Sequence, residues 1–138
     1  MRGRTQIQSL VVGLALAAGS LGISASAGAA DMALQLAQAA DQATLSREGQ
    51  PLFVRNCGPC HGNNGEGGAG PKLVGHSFLA STPSFVAQIL NGFEERGMPP
   101  FKAALNDRQV AALATYARNA WGNAFGVVTP DEVKSIRQ

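Results

Sequence analysis

Cysteine is scarce in this chain of 138 residues: there are two, Cys57 and Cys60. That excludes a small secreted fold stapled by several disulfides. A run fit to cross a membrane is missing too. The uncharged apolar stretch Leu10 to Ile23 covers fourteen residues and is broken by Gly13, Gly19 and Gly22, short of the roughly 20 apolar residues that span a bilayer. A strong excess of charge is also absent. Eleven basic residues stand against nine acidic ones, and Arg2 and Arg4 belong to the N-terminal segment. Without that segment the balance is nine to nine, and nothing in it points to nucleic acid.

The N-terminus has the order of an export leader. Arg2 and Arg4 come first, then Leu10 to Ile23, then small residues to Ala30; Ala25-Ser26-Ala27 and Ala27-Gly28-Ala29 both fit an A-x-A cleavage pattern. Residues 1–30 are therefore expected to be a signal peptide, cut between Ala27 and Asp31, and the protein is expected in the periplasm. An uncleaved leader acting as an anchor is the alternative. The two arginines are not adjacent, which favours the general export route over the twin-arginine one. About 108 residues remain, enough for one small domain.

Both cysteines fall in one motif, Cys57-Gly58-Pro59-Cys60-His61, and Gly97-Met98-Pro99-Pro100 follows at a distance. Two thiols three residues apart, with a histidine directly after them, form the attachment pattern of a c-type haem. His61 is then the proximal iron ligand. Met98 supplies a thioether for the distal position, and a Met/His pair goes with a raised reduction potential. Held between a glycine and two prolines, Met98 has no helix to pack in, which weakens its reading as core filler. Cys-Gly-Pro-Cys is also a dithiol redox motif, which keeps a thiol-disulfide oxidoreductase as an alternative. No run of β-branched residues and no tryptophan precedes Cys57, however, and the dithiol reading leaves His61 unexplained.

The rest of the chain is organised around that motif. Asp31 to Ala43 is rich in alanine and glutamine, a helical lead-in or a flexible tether. A helix carrying Leu52, Phe53 and Cys57 is expected to start between Ser46 and Gln50, with Pro51 in its first turn. Gly49 and Phe53 share a face of that helix. Seven glycines among the eighteen residues from Gly58 to Gly75 make a loop costly to order, and a rigid apolar disc would template it. Pro71 is placed to offer a carbonyl to the second N–H of the His61 ring. His76 is read as a surface or propionate-neighbouring residue, with an axial role as the rival. Thr82-Pro83-Ser84 opens a short helix that Gly92 stops. Asn106 and Gln109 form a capping box for a helix through Val110, Leu113, Ala117 and Trp121, ended by Gly122. Thr129 to Glu132 start a brief terminal helix through Ile136.

These residues, in this order, resemble a small single-haem class I cytochrome c. The likeness covers Ser46 to Trp121 and rests on Gly49, Phe53, Cys57 to Gly62, Gly70 to Leu73, Gly97-Met98-Pro99 and the Leu113 to Tyr116 segment. It implies an all-α fold of three to five helices around one covalently attached haem, with crossed first and last helices. Gly49 and Phe53 would meet Leu113 and Tyr116. It implies haem c bonded to Cys57 and Cys60, iron held by His61 and Met98, and the Pro71 carbonyl on the His61 ring. The expected layout is a leader at 1–30, an extension at 31–45, a cytochrome domain at 46–126 and a short tail at 127–138. The expected function is one-electron transfer between periplasmic or membrane redox enzymes, by an electron carrier rather than an enzyme. A haem subunit held in a dehydrogenase or oxidase complex is the alternative. The partners implied are a redox donor and acceptor: a dehydrogenase, an oxidase or a reductase.

Overall fold

The computed structural model describes residues 24–138. The expected leader lies outside the described residues as far as residue 23. Among the described residues the regular structure is helical: α1 (Ser24–Asn56), α2 (Gly58–His61), α3 (Thr82–Asn91), α4 (Asp107–Asn119) and α5 (Pro130–Ile136), with 3₁₀ turns at Ser77–Ala80 and Glu94–Arg96. None of these helices is long and apolar enough to cross a membrane.

Helix α1 departs from expectation. It does not begin near Ser46 but runs unbroken from Ser24, with Pro51 in its interior. The alanine, glutamine and leucine of the lead-in are good helix formers, so this stretch is helical although residues 28–41 are all exposed. Pro51 removes one helical N–H. The carbonyl that loses it belongs to Arg47, and both residues are exposed, so water can take the donor's place.

From Leu45 onward α1 is packed, and its principal partner is α4. The crossing point is Gly49: a β-carbon there would lie 2.0 Å from the Ala112 carbonyl oxygen and 2.9 Å from the Tyr116 Cβ. Glycine is required because the opposing wall is backbone. One turn on, Phe53 is 1% exposed, a burial worth about 1.5–3 kcal/mol. Its ring lies 5.6 Å from that of Tyr116 and 5.0 Å from that of Trp121. The expected meeting of the Gly49/Phe53 face with the Leu113 to Tyr116 segment is therefore present.

The capping signals placed three helix ends. Asn106 and Gln109 bond reciprocally at the start of α4, as do Thr129 and Glu132 at the start of α5, and Gly92 closes α3. Two details differ. Ser81, not Thr82, precedes α3 without a side-chain cap bond; the Thr82 hydroxyl instead accepts from Arg118 Nη1 at 2.6 Å. Helix α4 stops at Asn119 rather than Trp121, which takes a left-handed φ of 57°. That conformation costs on the order of 1 kcal/mol, offset by laying the indole between Phe53, Tyr116 and Gly65. Arg118 is buried and bonds the carbonyls of Phe125 and Gly126. Val128 and Val133 are fully buried in the common core, so the C-terminal segment packs onto α3 and α4.

Candidate functional site

Cys57 follows the last residue of α1, and Cys60 and His61 sit in the single turn of α2. The amide of Cys57 still donates to the Phe53 carbonyl, and the amide of His61 donates to the Cys57 carbonyl. The motif therefore inherits its position from the α1/α4 crossing. Both thiols are free, Cys57 half-buried and Cys60 exposed. Burial pushes the Cys57 thiol up to about 12, with Cys60 as the second cause. An activated thiolate needs a depressed pKa, and that of Cys57 is moved the other way.

The glycine-rich loop folds back onto the motif. The amide of Gly67 donates to the His61 carbonyl at 2.7 Å, and that of Gly70 to the Cys60 carbonyl at 2.8 Å. This return path brings the Pro71 carbonyl 2.8 Å from His61 Nδ1. A carbonyl only accepts, so Nδ1 carries the hydrogen and Nε2 is left with its lone pair free. Gly70 lies against the ring: a β-carbon there would come within 2.8 Å of Cε1 and 3.0 Å of Nδ1. The imidazole is thus set by a hydrogen bond at one nitrogen and by van der Waals contact with backbone.

Met98 is carried on the short loop that follows α3. Phe93 and Met98 exchange two backbone hydrogen bonds, of 2.8 and 3.1 Å, across the 3₁₀ turn between them. The Phe101 and Lys102 amides tie the following segment to the α3 carbonyls of Ile89 and Leu90. Gly92 has a φ of 70°, and a β-carbon on it would strike the Met98 carbonyl at 2.5 Å, so this corner accepts no larger residue without distortion.

These groups enclose one cavity of about 630 Å³, lined by Cys57, Cys60, His61, Pro71 and Met98 with walls including Leu73, Leu79, Phe85, Ile89 and Leu113. It lies within the roughly 300–1,000 Å³ of cofactor pockets and reaches the surface beside Phe78 and Phe93, which are 39% and 43% exposed. Among the described residues no cluster of three or more His, Cys, Asp or Glu side chains could hold a bare metal ion. The cavity instead combines two thiols on one edge, an imidazole with a free nitrogen, a thioether and apolar walls. That set fits a flat apolar macrocycle carrying its own metal, and the residues present suit a haem.

All five residues singled out in the sequence line this cavity, as does His76. His76 is exposed, and its Nδ1 accepts from the Phe78 amide at 3.2 Å. Three contributors escaped the sequence reading. Gln88 projects from α3 towards Met98, its Nε2 3.7 Å from Sδ. Asn123, 6% exposed, accepts from the Gly75 amide and donates to the carbonyls of Leu73 and Ala117. Arg118 joins α4 to the start of α3. The partners of Asn123 in the loop lie 48 and 50 residues away, beyond any local pattern.

Known proteins point the same way. A family model described as cytochrome C oxidase, cbb3-type, subunit III matches residues 44–116. Cytochrome c55X of Stutzerimonas stutzeri is 38% identical over 85 residues, covering 59% of this chain and 71% of that protein. Cytochrome c-552 of Thermus thermophilus is 31% identical over 116 residues, covering 69% of this chain and 78% of that protein. The fructose dehydrogenase cytochrome subunit of Gluconobacter japonicus is 32% identical over 110 residues, but this chain spans only 23% of that subunit's length. Together with the cavity and the helical fold, these likenesses show that the chain belongs to the c-type cytochrome family, electron-transfer proteins built around haem c.

Proposed function

We propose that this protein carries single electrons through one haem c, bonded by thioether links to Cys57 and Cys60 and held axially by His61 and Met98. The observation that carries the reading is the convergence of both thiols, the imidazole and the thioether on one apolar cavity, with the Pro71 carbonyl at the second nitrogen of His61. When bound, haem c supplies a reversible one-electron couple. The chain's own residues set its surroundings. Pro71 and Gly70 orient His61, the loop from Phe93 to Met98 fixes the thioether, and the apolar walls exclude water, which favours the less charged state of the site. Were His61 and Met98 both to hold the iron, they would leave no coordination position for a substrate, which favours a carrier role.

The partners proposed are redox proteins outside the cytoplasm, with residues 1–30 as the export leader and 46–126 as the haem domain. A diffusible carrier is preferred because the chain covers most of the length of two relatives named simply as cytochromes. The other reading, a subunit within a larger redox complex, draws on relatives named as dehydrogenase and oxidase subunits.

The test is made on protein matured in a host that attaches haem c. A pyridine haemochrome spectrum of the c type, persisting after acid-acetone extraction, is expected; haem lost to the solvent would refute attachment through Cys57 and Cys60. Met98→Ala is expected to abolish the low-spin reduced spectrum and lower the potential. An unchanged spectrum and potential would refute Met98 as ligand. Size-exclusion of the native protein separates free carrier from complex subunit.

A further inference from the structure

Between Met98 and the start of α4 the chain makes a turn. Pro99 and Pro100 lead into it with φ locked by their rings, which leaves the link between the turn and the thioether little freedom. The sulfur is therefore placed by whatever places the turn. It closes on itself through the amides of Ala104 and Leu105, which donate to the Phe101 carbonyl. One flank is held by α3, where the carbonyls of Ile89 and Leu90 accept from the Phe101 and Lys102 amides at 3.1 and 3.0 Å. The other flank is gripped by one side chain, Arg137, which lies 35 residues beyond Lys102.

Arg137 directly follows α5, and its amide donates to the Val133 carbonyl at 2.9 Å. Its base is anchored: Val133 is fully buried, Ile136 packs on the core, and the Thr129/Glu132 capping box holds the other end of the helix. From there the guanidinium divides three donors among three acceptors. Nη1 donates to the Lys102 carbonyl, Nη2 to the Leu105 carbonyl at 2.8 Å, and Nε to Oδ1 of Asp107, the first residue of α4. A guanidinium carries five N–H groups in a rigid planar fork, so the acceptors it joins are held in a fixed relation to one another. The Arg137 and Asp107 side chains are 21% and 32% exposed, so water screens this pair less than an ion pair on open surface.

We propose that Arg137 is a positioning residue for Met98: by clamping the turn beyond Pro99 and Pro100 it keeps the thioether in the cavity and makes the state with the sulfur swung out rare. The proposal rests on Met98 being the distal ligand. Such a clamp acts on the population of open protein. An outside ligand competing for the position binds only that open state, so its apparent affinity is lowered by the open fraction. Releasing the clamp raises the fraction, and the affinity rises by the same factor.

The test titrates the oxidised, haem-loaded protein with imidazole and follows the sulfur-to-iron charge-transfer band. In Arg137→Ala the band is expected before imidazole is added, and half-displacement at a concentration about three- to tenfold lower than in the native protein, a span usual for coupling at a distance. The Phe101 and Lys102 amides are expected to exchange with solvent faster by a similar factor, a readout independent of the haem spectrum. An unchanged imidazole affinity in the folded variant, even with a lower unfolding midpoint, would overturn the role of Arg137 while leaving Met98 as ligand. Absence of the charge-transfer band from the native protein would instead remove Met98 itself. If Arg137→Ala does not fold, Arg137→Lys takes its place: an ammonium keeps the charge but as a point charge cannot span the three acceptors. Its titration must also move to lower imidazole, and a curve coincident with the native one refutes the proposal.

Discussion

Replacing Gly49 by alanine sets two effects of opposite sign against each other. Intrinsic helix propensity favours alanine over glycine by about 1 kcal/mol. Against it, the new methyl would sit 2.0 Å from the Ala112 oxygen, 2.5 Å from its carbonyl carbon and 2.9 Å from the Tyr116 Cβ. Comfortable separations are about 3.5 Å or more between carbons, so α1 and α4 must part by roughly 1 Å at their closest approach. No rotamer change relieves this, because the nearest atoms are backbone. Overpacking typically costs about 1–3 kcal/mol, and a rigid neighbour puts Gly49→Ala in the upper part of that range, leaving a net loss of about 1–2 kcal/mol. At about 4–8 °C per kcal/mol for a domain of this size, the midpoint should drop by about 5–15 °C. Thermal unfolding of the holoprotein, followed by far-ultraviolet circular dichroism, reads it directly. A midpoint equal to or above that of the native protein would refute the claim that the crossing is a backbone contact.

Other substitutions probe the surroundings of the cavity. Gly70→Ala places a methyl within 2.8 Å of the His61 ring and should tilt it off the Pro71 carbonyl, lowering haem incorporation or shifting the potential; full loading at an unchanged potential would count against ring packing by Gly70. Asn123→Ala removes one accepted and two donated hydrogen bonds in a buried site and should cost about 2–4 kcal/mol, measured by denaturant unfolding, whereas a loss under about 0.5 kcal/mol would show the loop to be held by other means.

Much of the site was legible because its chemistry is local. Two thiols and an imidazole within five residues define a pattern, and the Gly97 to Pro100 segment marks Met98 as a residue with no helix to serve. Both capping boxes were legible for the same reason, since each bond spans three residues. Where the sequence misled, tertiary packing or propensity outweighed a local rule. Pro51 suggested a helix start, yet its exposed position lets α1 run through it. Trp121 continued the apolar stripe of α4, yet its indole gains more by leaving the helix to cover Gly65. Gln88 belongs to no local motif. Only the return of the chain at Met98, ten residues later, brings the sulfur to its amide.

The bonds from Asn123 to Gly75 and Leu73, and the seat of the Trp121 indole on Gly65, bear on the order of assembly. The segment that wraps the Cys57 to His61 turn cannot be completed until the chain around residues 121–123 is present, because local contacts alone do not repay the ordering of so many glycines. A chain whose last residues have yet to arrive would therefore hold both sulfurs on an unfinished and open turn. Were the proposed thioether links made at that stage, the cysteines would be reached before the wall closes, and the last stretch to arrive would lock the product in place.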